Sequence, residues 1–292
     1  SIREFVKRGA EASAAETMSD CMEDAGTVDS KITACKTTAK SMAAKAAGKS
    51  TVTETEFIEM KKKGAAKEAQ DALSSCVDGA ADSNARTACI TGASTGGRRG
   101  LADSPLTKAI AKALGKKATE VDITEVNIFM KKGAEVGVRN AMEGCYAAAS
   151  TKAEKLACRQ GPAPPPSGRR SSQASGPVAV ALAKSLGKAQ VEKSDVEEYV
   201  RASARERTAF TMKSCIDAMT TDTPQNRNAC RDTTVKKTIV ESMGLEDADV
   251  DATSIREFVK RGAEASAAET MSDCMEDAGT VDSKITACKT TA

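Results

Sequence analysis

The sequence predicts an all-α protein: a tandem array of antiparallel helical hairpins, each stapled by one disulfide, the whole elongated. Three observations predict it. Aromatic residues are 2% of the 292-residue chain and Trp is absent; the apolar content, rich in Ala, suits closely approaching helices better than a thick globular core. Ten cysteines fall into five consecutive pairs, Cys21/Cys35, Cys76/Cys89, Cys145/Cys158, Cys215/Cys230 and Cys274/Cys288, with 13, 12, 12, 14 and 13 residues between partners. Residues 1–39 return letter for letter as 254–292, a period of 253, and inside that period lie four divergent copies of a smaller unit.

Each copy begins with a long helix. In the first, Ile2, Val6, Ala10, Ala14, Met18, Cys21 or Met22, and Ala25 recur every three or four residues, the period of an amphipathic helix. Ile2 corresponds to Phe57, Val126 and Val196, Ala10 to Ala65, Ala134 and Ala204, and Met18 to Leu73, Met142 and Met212. Thr53 with Glu56, Asp122 with Glu125, Ser194 with Glu197 and Ser254 with Glu257 each fit a capping box at a helix start. Gly26 and Gly79 mark the stops.

The second helix begins near Ser30, Ser83, Thr151 or Pro224 and places its cysteine in the second turn, each time directly after an alanine. Antiparallel packing then brings the two cysteines of a pair together, and a bridge across the hairpin tolerates the small changes in spacing. Ten buried thiols acting as small apolar residues are the alternative. A zinc or iron–sulfur site lacks both histidine and any CxxC spacing.

Length changes concentrate in one place. From Gly48, Gly115, Gly187 and Gly244 forward to the next cysteine the distances are 28, 30, 28 and 30 residues; back to the previous cysteine they are 13, 26, 29 and 14. The two long cases hold GASTGGRRGLADSP and QGPAPPPSGRRSSQASGP, which cannot be helical throughout. The hairpin units therefore run 1–48, 49–115 with an insert at 92–105, 116–187 with an insert at 160–177, and 188–244; residues 245–292 start the next super-repeat.

The motifs that suggest chemistry have plainer explanations. GKS at Gly48 lacks the earlier glycine of a phosphate loop, where Ala43 stands, and reads as a helix C-cap followed by lysine. Asp247, Asp249 and Asp251 lack the glycine and glutamate of a calcium loop. Methionines near each first cysteine read as core filler, with a pocket for an apolar ligand as the alternative. Arg98-Arg99 and Arg169-Arg170, at similar places in the two inserts, are solvated loop charges, contacts for a partner, or processing sites.

Composition narrows the function. There is no histidine, which removes Ser-His and Cys-His nucleophile pairs and His-ligated metals. The 43 basic residues against 41 acidic ones give no global attraction to nucleic acid, and no apolar run is long enough to span a bilayer. The expectation is a structural or scaffold protein, not an enzyme: a segment of a long filament, matrix or linker polyprotein in an extracellular or luminal, oxidising compartment. It needs no cofactor or metal, and its partners are like repeats or other proteins of an assembly. A helical binding module enclosing an apolar ligand, pigment or lipid is the competing expectation.

Overall fold

A computed structural model describes residues 2–92, 98–161, 173–219, 221 and 223–278. Among the described residues the fold is all-α with four disulfides, and the strands are the two-residue pieces Gln173–Ala174 and Val191–Glu192. It divides into two compact units, Ser1–Gly137 with Ala179–Val191, and Val138–Val178 with Glu192–Ala292.

In unit one, α1 (Ile2–Ala25) lies against α2 (Asp29–Ala46), α3 (Glu54–Asp78) and α6 (Pro105–Leu114), with α4 (Ser83–Thr91) and α5 (Arg98–Asp103) between α3 and α6 in sequence. Ala14, Met18, Met22 and Ala25 of α1 pack with Ile32, Cys35, Ala39 and Ala43 of α2 and Phe57 of α3. A second cluster joins Ala65, Ala69 and Leu73 of α3 to Cys89, Leu106, Ile110 and Leu114, and to Val126 and Phe129 of α7 (Ile123–Ala148). Ala dominates both clusters, so the backbones lie close and each side chain buries little surface.

In unit two, α10 (Lys193–Asp217) is the centre. It lies against α8 (Lys152–Gln160), α11 (Pro224–Cys230), α12 (Lys236–Met243) and α13 (Ala252–Ala278). The remaining helix, α9 (Pro177–Ser185), belongs to unit one from Ala179 onward.

The caps follow one register. Thr53, Asp122, Glu192 and Asp251 each stand twelve residues before the aligned alanine, Ala65, Ala134, Ala204 or Ala263. Thr53 and Glu56 form the reciprocal box, Glu56 N donating to Thr53 Oγ1 at 3.1 Å and Thr53 N to Glu56 Oε2 at 2.9 Å. Asp122 accepts from Glu125 N at 2.8 Å. Two of the sequence expectations move upstream. Ser194 and Ser254 do not cap; Glu192 N donates to Asp195, and Asp251 accepts from Ser254 N at 2.7 Å. Glu197 is occupied elsewhere, by Arg159 Nη1 at 3.0 Å and Gln160 Nε2 at 3.2 Å.

Small differences in length become local geometry. Where the glycine-to-cysteine distance is 30 instead of 28, a 3-10 turn follows the glycine, Ala118–Glu120 after Gly115 and Asp247–Asp249 after Gly244. Where the second helix is one residue longer, with 14 residues from Cys230 to Gly244 against 13 from Cys35 to Gly48, the extra residue enters as the π-turn Arg231–Val235 between α11 and α12. Gly48, Gly115, Gly187 and Gly244 all adopt positive φ, from 60° to 67°, the left-handed cap that lets a chain leave a helix.

Within α1 and α10 the buried stripe departs from expectation at Val6 and at Met212. Val6 is 37% exposed, although Ala10, Ala14 and Met18 behind it are fully buried. Met212 is only partly buried, unlike its counterparts Met18, Leu73 and Met142.

Candidate functional site

The disulfides tie each long helix to the short one after it. Cys21–Cys35, Cys76–Cys89, Cys145–Cys158 and Cys215–Cys230 are bonded, with Cα–Cα distances of 5.5, 5.8, 6.0 and 5.9 Å, within the usual bridging range. In every bridge the second cysteine is the buried one: Cys35, Cys89, Cys158 and Cys230 are 4% exposed or less. Of the fifth pair, Cys288 lies outside the described residues, and so do Arg169 and Arg170; Arg98 and Arg99 begin α5.

A close approach recurs between long helices. A Cβ on Gly64 of α3 would strike Ala15 Cβ and stand 2.5 Å from the Glu11 carbonyl oxygen of α1. On Gly133 of α7 it would stand 2.7 Å from the Ala66 carbonyl of α3, and on Gly262 of α13, 2.8 Å from the Arg205 carbonyl and 3.2 Å from Ala209 Cβ of α10. Gly64, Gly133 and Gly262 occupy one register, each directly before the aligned alanine. The receiving carbonyls, Glu11, Ala66 and Arg205, occupy another, directly after it. Only glycine fits such a contact, because any side chain would enter the neighbour's backbone.

Helices α1 and α13 share their sequence from Ile2 and Ile255 onward, yet they bury opposite sides. In α1, Ala10 is fully buried and Gly9 is exposed, with nothing within 4 Å of where its Cβ would be. In α13, Gly262 is buried and Ala263 exposed. The charged neighbours agree: Glu11 is 15% exposed in α1, whereas its counterpart Glu264 is 62% exposed in α13.

Unit two also holds a cavity of about 260 Å³ lined by Arg139, Met142, Tyr146, Ser203, Arg207 and Ser242, among others. Its charges are largely matched within the protein. Arg207 Nη1 lies 3.6 Å from Glu143 Oε1, and Arg139 Nη1 lies 3.4 Å from Glu206 Oε2. Tyr146 Oη, Ser242 Oγ and Arg139 Nε have no hydrogen-bond partner and are shut off from solvent. Burial pushes the Tyr146 hydroxyl up to about 12, with Arg159 opposing and Glu197 reinforcing the shift.

Sequence reasoning missed this cavity; the register of Ser203 is the signal that could have found it. It stands where Gly64, Gly133 and Gly262 stand in the other helices, and it is 2% exposed. Two of the three aspartates of the 247–251 run are held by protein groups: Asp249 accepts from Lys152 Nζ at 2.7 Å and Glu246 N at 2.9 Å, and Asp251 caps α13. Among the described residues no cluster of His, Cys, Asp or Glu is arranged to hold a metal, and no helix is long and apolar enough to cross a membrane. No protein family, curated protein or solved structure matches the chain.

Proposed function

We propose that the protein is a structural or scaffold repeat protein, a tandem array of disulfide-stapled hairpins belonging to a longer filament, matrix or linker polyprotein. The observation that supports this reading best is the glycine-on-carbonyl contact at one register in three long helices, through Gly64, Gly133 and Gly262. A contact made repeatedly between successive units is how solenoid-like arrays distribute their stability. Four disulfides fit an oxidising, extracellular or luminal compartment. The partners are like repeats or other proteins of the assembly, with the Arg98-Arg99 and Arg169-Arg170 inserts as contact points. The proposal includes no catalytic activity and no cofactor.

A module that encloses an apolar ligand or pigment has less support. The cavity is lined by Arg139, Glu143, Arg207 and Glu241 as well as Met142, charged groups that an apolar guest would have to desolvate. Small-angle X-ray scattering of the native chain tests the array: an elongated particle free of bound chromophore is expected, and a compact globule sinks it.

A further inference from the structure

The helix that occurs twice, as α1 and as α13, is covered on one side in each place, and the two covered sides differ. At about 100° per residue, Gly9 and Met18 lie half a turn apart. The Met18 side, with Ala10, Ala14, Met22 and Ala25, is buried in α1, which lies against α2, α3 and α6. The Gly9 side is bare there, and Val6 beside it is 37% exposed. In α13 the same side is filled: Ile255 is 3% exposed, Val259 is partly buried, and Gly262 rests on the Arg205 carbonyl of α10.

We infer that the Gly9 face of α1 is the seat for α10 of another copy of the 253-residue repeat, joined head to tail in the same polypeptide, with Gly9 on the carbonyl of that copy's Arg205. This rests on the array reading above. The occupant is identified by the molecule itself, since an identical helix already carries α10 on this face. The two faces do not compete. Gly9 meets the preceding helix through its own missing side chain, whereas the Glu11 carbonyl receives Gly64 of the following helix. One helix therefore accepts both neighbours at once, and the contact seen between α1 and α3 is repeated across the joint.

The test is amide hydrogen exchange on a chain of two periods, 253 residues followed by the 292 described above. Lys260→Arg, at a side chain 77% exposed, marks the peptides of the central helix by mass. With both faces packed, amides around positions 259–267 of that helix are expected to exchange on the order of tenfold more slowly than those of either α1 or α13 in the one-period chain. Gly262→Leu in the centre should abolish the gain, while Gly9→Leu at the free end should leave the fold intact. Exchange at the one-period rate overturns the joint. So does protection of α1 that grows with concentration in the one-period chain, because the occupant would then be a separate molecule. Scattering on the same two-period protein keeps the readings apart: a longer particle without added protection removes the joint and leaves the array, and a particle that does not lengthen removes the array.

Discussion

Replacing Cys76 and Cys89 by alanine should cost about 3 kcal/mol and release α4. The bridge closes a loop of sequence separation 13, for which chain-entropy loss in the unfolded state is about 10 cal/mol/K, or about 3 kcal/mol at room temperature. Local structure offers little to replace it. Helix α4 has nine residues, and Cys89 is its one buried side chain; helices shorter than about 12 residues do not hold themselves together in water. The comparison is Cys21–Cys35, where the separation of 14 gives nearly the same entropic figure. There α2 has eighteen residues and buries Ile32, Ala39, Ala43 and Ala44 as well as its cysteine. Urea unfolding of the two double variants should therefore show similar losses. Native-state hydrogen exchange should differ sharply: the α4 amides become unprotected when their bridge is removed, and the α2 amides stay protected. A loss below about 1 kcal/mol for Cys76→Ala/Cys89→Ala, or continued protection of α4, would refute the argument that the staple holds the short helix.

Gly64→Ala should destabilise by about 1–3 kcal/mol in chemical denaturation, because its Cβ meets Ala15 and the Glu11 carbonyl, whereas Gly9→Ala, in open space on a helix, should stabilise by about 0.5–1 kcal/mol. Thr53→Ala removes one half of the reciprocal cap and should cost about 1 kcal/mol in the same assay. Ser242→Ala removes a hydroxyl that is 4% exposed and unpartnered, so thermal unfolding should show a gain of about 1 kcal/mol; a loss would mean that the hydroxyl has a partner in solution. The phenol of Tyr146, pushed up to about 12 by burial, holds its proton in the folded state after the unfolded state has lost it. Its contribution is therefore complete below pH 10 and falls as pH rises from 10 to 12, a slope that Tyr146→Phe should remove from stability measured across that range.

Regular spacing made much of this fold legible. The helices, the alanine stripe and the identity of the cysteine partners all follow from residues that recur at fixed intervals, and Ala10, Ala65, Ala134 and Ala204 are fully buried. The caps at Ser194 and Ser254 were misplaced because a Ser followed three residues later by Glu is a good local signal. The register of the repeat, which points to Glu192 and Asp251, takes precedence, since a helix start must suit the packing of the whole helix. Residue counts also carried more than they disclosed. Two extra residues after Gly115 and Gly244 become 3-10 turns, and one extra residue before Gly244 becomes a π-turn. Spacing shows that slack is taken up but not in which hydrogen-bond pattern. The contrasting environments of Gly9 and Gly262 were beyond sequence reasoning altogether, because the residues themselves are identical and only their neighbours differ.

The cavity in unit two follows from the same register. Where a glycine stands, the approaching helix meets a small or compressible partner: Gly64 faces Ala15, Gly133 faces Gln70 along its aliphatic stem, and Gly262 faces Ala209. In α10 the glycine is replaced by Ser203, and Arg139 stands in α7 at the position aligned with Ala15, Gln70 and Ala209. Both residues line the cavity. A hydroxymethyl group opposite a guanidinium cannot close to backbone contact, so space remains beside them, and Arg139 directs its charge to Glu206 at 3.4 Å. Among the described residues, three of the four buried side-chain polar atoms without partners, Tyr146 Oη, Ser242 Oγ and Arg139 Nε, belong to residues that line this cavity; the fourth is Arg159 Nε. Polar atoms withheld from both water and partners reduce stability. The cavity thus lies where the sequence departs from its own rule, and gains of stability from substitution should concentrate there instead of at the glycine contacts.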